Sequence, residues 1–274
     1  NEAWDPGGVT GGTAPIVYAL AVRNGILYVG GDFTSAGGAA RYRLAAFAID
    51  QAMITPWNQG YSSNNGEVRC IAPTDDAIYV GGDFTSMGGA TRTSLAALDP
   101  VSGSALGNWA PTANGDVLCM QATTDRVLIG GEFSQINATN RSRLAALQIA
   151  DGSLTTWNPG ANDKVHTIML AGDTLFAGGA FSQCGGSARS KLATLSTLTD
   201  MNNALPWNPS VTGSSVRSIQ VGGSVVYVGG QFATVGSVPT ERANAAAFLR
   251  STGEVTGWDP GTSSPAIYTL AYDG

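Results

Sequence analysis

Three carboxylates occupy one recurring position beside a glycine pair: Asp32, Asp83 and Glu132, with Ala180 and Gln231 in the two remaining places. A ring of such oxygens would suit a hard cation such as Ca²⁺. Because two of the five places lack the acid, the favoured reading is internal: each carboxylate pairs with a recurring Arg or caps backbone N–H groups. An Arg also recurs, at 41, 92, 141, 189 and 242. Arg41, Arg92, Arg141, Arg189 and Arg242 would bind anions, but a residue alike in every unit serves what every unit shares. Their planar forks are expected to tie loop carbonyls or a neighbouring carboxylate. Chemistry that differs from unit to unit sits elsewhere. One position reads Tyr18, Arg69, Leu118, His166, Arg217 and Tyr268. Tyr18, Arg69, His166, Arg217 and Tyr268 form a candidate ligand ring suited to an anion or a sugar, against ordinary variation at a solvated surface. His166 is the only histidine, so it completes neither a metal site nor a catalytic triad by itself. No acid pair of the hydrolytic kind stands out.

Composition narrows the classes. Charged residues make up 12% of the chain and hydrophobic ones 43%, with 37 Gly. That is too apolar for a disordered chain and suits short strands joined by many turns. The net charge is −6, and Lys164 and Lys191 are the only lysines. Without a basic tract a phosphate backbone finds little attraction, so no nucleic-acid partner is expected. Cys70, Cys119 and Cys184 are odd in number and lack Cys-x-x-Cys spacing. They read as small buried residues rather than a disulfide framework or zinc site. No apolar run reaches the length of a membrane helix, so no membrane insertion is expected within this segment. The first residue is Asn1 rather than Met, which leaves room for a removed upstream segment.

The elements that must position these residues repeat. Trp4, Trp57, Trp109, Trp157, Trp207 and Trp258 fall in one context (Trp-Asp-Pro, Trp-Asn-Pro and close variants), at spacings of 53, 52, 48, 50 and 51. A Gly-Gly-x-Phe marker ends at Phe33, Phe84, Phe133, Phe181 and Phe232, and the recurring Arg follows about nine residues later. Three markers in phase define five complete units, approximately 14–63, 64–113, 114–162, 163–213 and 214–263, with partial units 1–13 and 264–274. Each unit reads as four short strands: the VYALAV type, the ILYVGGDF type, the small-residue LAAFAI type, and a fourth that carries the Trp. Asn-Gly, Asp-Gly and Gly-Gly pairs between them are hairpin turns. IYTLA at 267–271 reads as one more first strand. The expected fold is all-β, a single β-propeller domain over 1–274 of repeated four-stranded antiparallel blades, five complete repeats plus partial strands at both ends. One blade cannot bury both faces; stacking does.

The run LYVGGDFTSAGGAARYRLAAFAID…WNQG resembles the delta-60 repeat, a kelch-like propeller repeat of bacterial secreted and surface proteins. Similar units occur in fungal cell-polarity surface proteins. The resemblance covers essentially the whole chain and implies a propeller in an extracellular or cell-surface setting. It brings no catalytic residues to transfer. The third unit departs from the pattern, with Ile136-Asn-Ala-Thr139 where the first, second and fourth have a second Gly-Gly, and the fifth carries two extra residues before Arg242.

The partial ends allow two readings, the first preferred: a window on a longer array, or strands completed by another subunit. The expected function is a non-enzymatic extracellular or cell-surface propeller acting as a structural or protein-interaction scaffold. The alternatives are a carbohydrate-binding propeller and a subunit of an extracellular fibre built by strand donation. No cofactor and no metal are expected; the partners would be a protein or glycan at the cell surface, or further copies of the chain. The sequons at Asn137 and Asn140 would mark an exposed loop open to glycosylation in a eukaryotic host.

Overall fold

The computed structural model of the protein describes residues 4–11, 14–59 and 66–272. The boundary expected at 63–64, and the outermost residues of both partial units, lie outside them. Every strand belongs to an antiparallel sheet, and no helix occurs among the described residues. The chain divides into two compact units, one of residues 1–128, 133–140 and 147–154, the other of 129–132, 141–146 and 155–274.

Within the first unit, Ile16–Arg23, Ile26–Asp32, Leu44–Ala48 and Met53–Ile54 form a four-stranded sheet in that order. The second repeat pairs Val68–Pro73, Ile78–Gly82 and Leu95–Leu98 in the same order. Val117–Ala122, Arg126–Gly131 and Leu144–Gln148 make the third sheet, through which the division into units passes. The second unit holds Val165–Ala171, Thr174–Gly179 and Leu192–Ser196, then Val211–Gly222, Val225–Val235 and Ala245–Leu249. The fourth strand is brief everywhere. It is two residues long in the first repeat and a single bridge in the others, Leu98 to Ala105, Leu147 to Leu154, Leu195 to Ala204 and Phe248 to Val255.

Two expectations need correcting. The tryptophans do not lie in the fourth strand: Trp57, Trp109, Trp157 and Trp207 follow it in irregular backbone. The Pro two residues after Trp109, Trp157 and Trp207 cannot donate to a ladder, which favours that exit there. Residues 267–271 are not a strand either, although they occupy a first-strand seat described below.

Between the second and third strands lies a small hairpin that sequence reasoning missed, for example Ser35–Ala36 with Ala39–Ala40 and Ser86–Met87 with Ala90–Thr91. Its two-residue turn needs left-handed backbone twice. Gly37 and Gly38 supply φ of 55° and 73°, whereas Asn137 and Ala138 do so at 48° and 59° in the third repeat. Asn tolerates that region; Ala does so only under strain.

The glycine pair of the second strand serves two neighbours at once. A Cβ on Gly31, Gly82, Gly179 or Gly230 would sit 1.9–2.2 Å from a carbonyl oxygen of the repeat's own first strand. A Cβ on Gly30, Gly81, Gly178 or Gly229 would strike the apolar side chains of the following first strand, such as Val68 at 2.6 Å from Gly30. The core forms where these sheets meet. In the first unit Tyr28, Leu44, Ala46, Trp57, Val68, Ile78, Val80 and Phe84 make one cluster. In the second, Phe176, Leu192, Trp207, Val216, Ile219, Val228 and Phe248 make its counterpart. Alanines of the third strand leave room for the indole: Ala46 and Ala246 are fully buried beside Trp57 and Trp207.

Each interior tryptophan is held by its N–H, and Trp57, Trp109 and Trp207 also by a ring contact. Trp57 meets Tyr28 edge-on at 5.5 Å and donates to the Asp99 carbonyl; Trp109 meets Tyr79 at 5.0 Å and donates to Gln148. Trp157 donates to Ser196, and Trp207 donates to Leu249 while meeting Phe176 at 5.4 Å. A buried indole thus keeps its donor satisfied, which removes the main cost of burying it.

Candidate functional site

The variable series of the first strands sits on a repeated β-bulge. Pairing shifts register between Val17 and Ala19, Val68 and Cys70, Val165 and Thr167, and Val216 and Ser218. The residue skipped by the ladder is Tyr18, Arg69, His166 or Arg217. The cause is the adjacent glycine pair: with no Cβ at Gly31, Gly82, Gly179 or Gly230, the first-strand carbonyl closes in and the next residue is pushed out of register. A bulge re-aims its side chain, so the repeat builds a position whose residue does not serve the ladder.

In the first unit the structure brings two of these residues together. The Arg69 guanidinium lies 4.0 Å from the Tyr18 ring centroid and pairs with Glu67. Nearby, Arg43 pairs with Asp32, and the Asp83 carboxylate accepts the Glu67 backbone N–H. Burial, with Asp83 and Asp32 close by, raises the Glu67 carboxyl above its usual value, although Arg69 opposes the shift. Burial likewise raises the Tyr18 phenol. Leu118 is half-buried and adds no polar group.

The second unit has its own set. Arg217 lies 5.0 Å from the Tyr268 ring centroid, and Tyr268 is 70% exposed. His166 is half-buried beside them. Burial first, then the positive charges of Arg217 and Lys164, lowers its pKa and favours the neutral imidazole. Lys164 pairs with Glu132 at 2.7 Å.

The carboxylates of the glycine-pair position are therefore engaged, though not by the recurring Arg. Asp32 is held by Arg43 instead of Arg41, Glu132 by Lys164, and Asp83 by a backbone N–H. The recurring Arg is busy elsewhere. Arg41, Arg92, Arg141, Arg189 and Arg242 donate to the carbonyls of Thr55, Leu106, Thr155, Leu205 and Thr256 at 2.7–3.0 Å. Each clamps the small hairpin to the segment just before the Trp. Among the described residues no group of three or more His, Cys, Asp or Glu is placed to hold a metal. Cys70, Cys119 and Cys184 are buried and none is in a disulfide, and burial pushes Cys184 up to about 12.

Sequence reasoning overlooked Glu67 and Arg43. Glu67 occupies the place just before the first strand's recurring valine, where Ile16, Lys164 and Ser215 stand in other repeats. Arg43, Ser94, Arg143, Lys191 and Asn244 share a second overlooked place, two residues beyond the recurring Arg; all five have φ of 63–68°. Their backbones bond the second glycine and the Phe of each marker, as Arg43 does with Gly31 and Phe33. The available signal was the recurrence of polar residues there once the repeats are aligned.

No family model matches the chain, and no curated protein matches it. Among solved structures, the Neurospora crassa Pan2 WD40 domain gives a TM-score of 0.57 at 10% identity, covering 89% of this chain and 65% of that one. The WD40 β-propeller domain of Doa1 gives 0.49 at 12% identity, covering 96% and 88%. The computationally designed Ika8 protein gives 0.44 at 12% identity, covering 97% and 93%. With all-antiparallel sheets in the repeated order above, the Pan2 likeness shows the fold alone: the chain is a β-propeller-type repeat protein.

Proposed function

We propose that the chain is a non-enzymatic propeller of the delta-60, kelch-like type that works outside the cell or at its surface as a protein-interaction scaffold. The observation that carries this reading is the engagement of the charged groups around the bulges. Asp32, Glu67 and Glu132 each hold a cationic partner. A general acid and base need lone pairs and protons directed at a substrate; these are directed at one another. What remains presented is shape, backbone and the varied bulge residues, which suits recognition. Expression in the source cell followed by protease shaving and fractionation tests the location. Recovery only from the cytosol would overturn it.

A second reading, carbohydrate binding, is favoured by Tyr268. An exposed aromatic face with a guanidinium beside it offers a sugar ring both a stacking surface and hydrogen-bond donors. A glycan array decides between the two. Saturable binding abolished by Tyr268→Ala supports the lectin reading and defeats the scaffold-only one; a blank array defeats the lectin.

A further inference from the structure

A groove of about 660 Å³ lies at the turn 74–77, and all the residues that line it belong to the first compact unit. Its size is within the usual range of ligand pockets, about 300–1,000 Å³. Two repeats build its walls: Tyr79 and Leu106 come from the second, Ile149 and Ala150 from the third. The Tyr79 hydroxyl donates to the Ile149 carbonyl at 3.2 Å and the Asn108 amide to the Ala150 carbonyl at 2.9 Å, so the walls are tied to each other. Most polar groups along the groove are committed. Arg23 and Asn24 donate to the Asp75 carboxylate and hold it down at about 2. The Thr74 hydroxyl closes on Ala77, and the Thr123 hydroxyl on Asp125 and Arg126. Asp76 is the exception: it is exposed, and among the described residues no Lys or Arg pairs with it. Its charge is felt within the groove, where burial raises the Tyr79 phenol and Asp76 adds to the shift.

The other repeats show how this turn is closed elsewhere. Asp125 stands in the place of Asp76 and is neutralised by the next residue, Arg126, at 2.8 Å, whereas Asp76 is followed by Ala77. Ile49, Ile149, Thr197 and Arg250 donate their backbone N–H groups to the carbonyls of Gly25, Asp125, Asp173 and Ser224. Pro100 holds that place in the second repeat and has no N–H to give. Among the described residues no backbone N–H reaches the Asp76 carbonyl. The second repeat thus leaves this residue without the neighbouring cation of the third and without the backbone bond of the other four.

We propose that this groove receives an arginine side chain of a partner protein, with the guanidinium on the Asp76 carboxylate and the stem along Leu106 and Ile149. Asn108 Oδ1, whose amide nitrogen is already bonded to Ala150, is a second acceptor in the lining. A planar head with five donors uses several acceptors at once, which a compact ammonium does less well. The arginine stem covers apolar wall that would otherwise stay wet. A basic partner also complements a chain of net charge −6. The proposal rests on the protein-interaction reading and names the chemistry of the partner.

Amide NMR of the whole chain titrated with the peptide acetyl-Gly-Arg-Gly-amide tests it. Saturable shifts are expected at 74–77, 106–108 and 149–150. The same peptide with citrulline, which keeps the shape and loses the charge, is expected to bind at least tenfold more weakly; this arm needs no variant. Asp76→Asn is expected to weaken binding at least tenfold and Leu106→Ser severalfold. Asp173→Asn, the same place in the fourth repeat, is expected to change nothing. Absence of saturable shifts overturns the proposal. So do shifts centred on other residues, equal binding of the citrulline peptide, or binding that Asp76→Asn leaves intact. The scaffold reading is tested separately, by the location of the chain.

Discussion

Trp109 and Trp258 occupy the same place in the repeat and live in different surroundings. Trp109 is buried, its ring against Tyr79 and its N–H on the Gln148 carbonyl. Trp258 meets Tyr227 in the same edge-on way, at 5.4 Å, but is 40% exposed, and no acceptor for its N–H is seen among the described residues. Trp4 shows the complementary half: its N–H reaches the Ile49 carbonyl while the ring is 47% exposed. Each indole therefore needs one repeat for its ring and the next for its hydrogen bond. Local sequence sets its geometry; neighbours set its burial.

The largest effect should come from removing the interior ring. Trp109→Ala is expected to cost about 3–5 kcal/mol, from lost burial and the cavity left behind. Trp258→Ala should cost less than about 2 kcal/mol, since much of its surface is already wet. Urea titrations of both variants measure the difference.

A second contrast concerns glycine. Gly82→Ala would bring a Cβ within 1.9 Å of the Glu67 carbonyl, whereas nothing lies within 4 Å of a Cβ at Gly107. The first should destabilise by about 3 kcal/mol and the second by well under 1 kcal/mol. Thermal unfolding reports both. Smaller still, and opposite in sign, Ala138→Gly should stabilise by up to about 1 kcal/mol, because it relieves left-handed backbone at an exposed turn.

The smallest effect is a titration. His166, the only imidazole, should titrate below the ordinary value of about 6.5. Its folded pKa is depressed, so its contribution to stability is present above the unfolded value and is lost as pH falls through the folded one. Proton NMR of the single imidazole gives the midpoint directly. Arg217→Gln should raise it; a midpoint above 6.5 in the parent chain would refute the burial described for it.

Much of the fold was legible because its causes are local and repeated. The Gly-Gly-x-Phe marker, the Ala-rich third strand and the Trp register each follow from steric needs that recur about every fifty residues. The small hairpins were missed because two-residue strands leave almost no periodic signal. The Trp was placed in a strand because its following Pro was weighed too lightly. For the candidate site, the series Tyr18, Arg69, His166, Arg217 was visible as variation, but its cause was not. The bulge comes from a carbonyl approaching a glycine of another strand, a non-local contact. The pairing of Tyr18 with Arg69, and of Arg217 with Tyr268, likewise depends on which repeats lie side by side.

The most direct test of mutual shielding is fluorine NMR of the chain labelled with 5-fluorotryptophan, each resonance assigned by substitution and probed with a soluble paramagnetic agent. Trp57, Trp109, Trp157 and Trp207 should be protected and Trp4 and Trp258 strongly broadened. Six indoles broadened alike, or an interior one as accessible as Trp258, would contradict the idea that each repeat is completed by its neighbour.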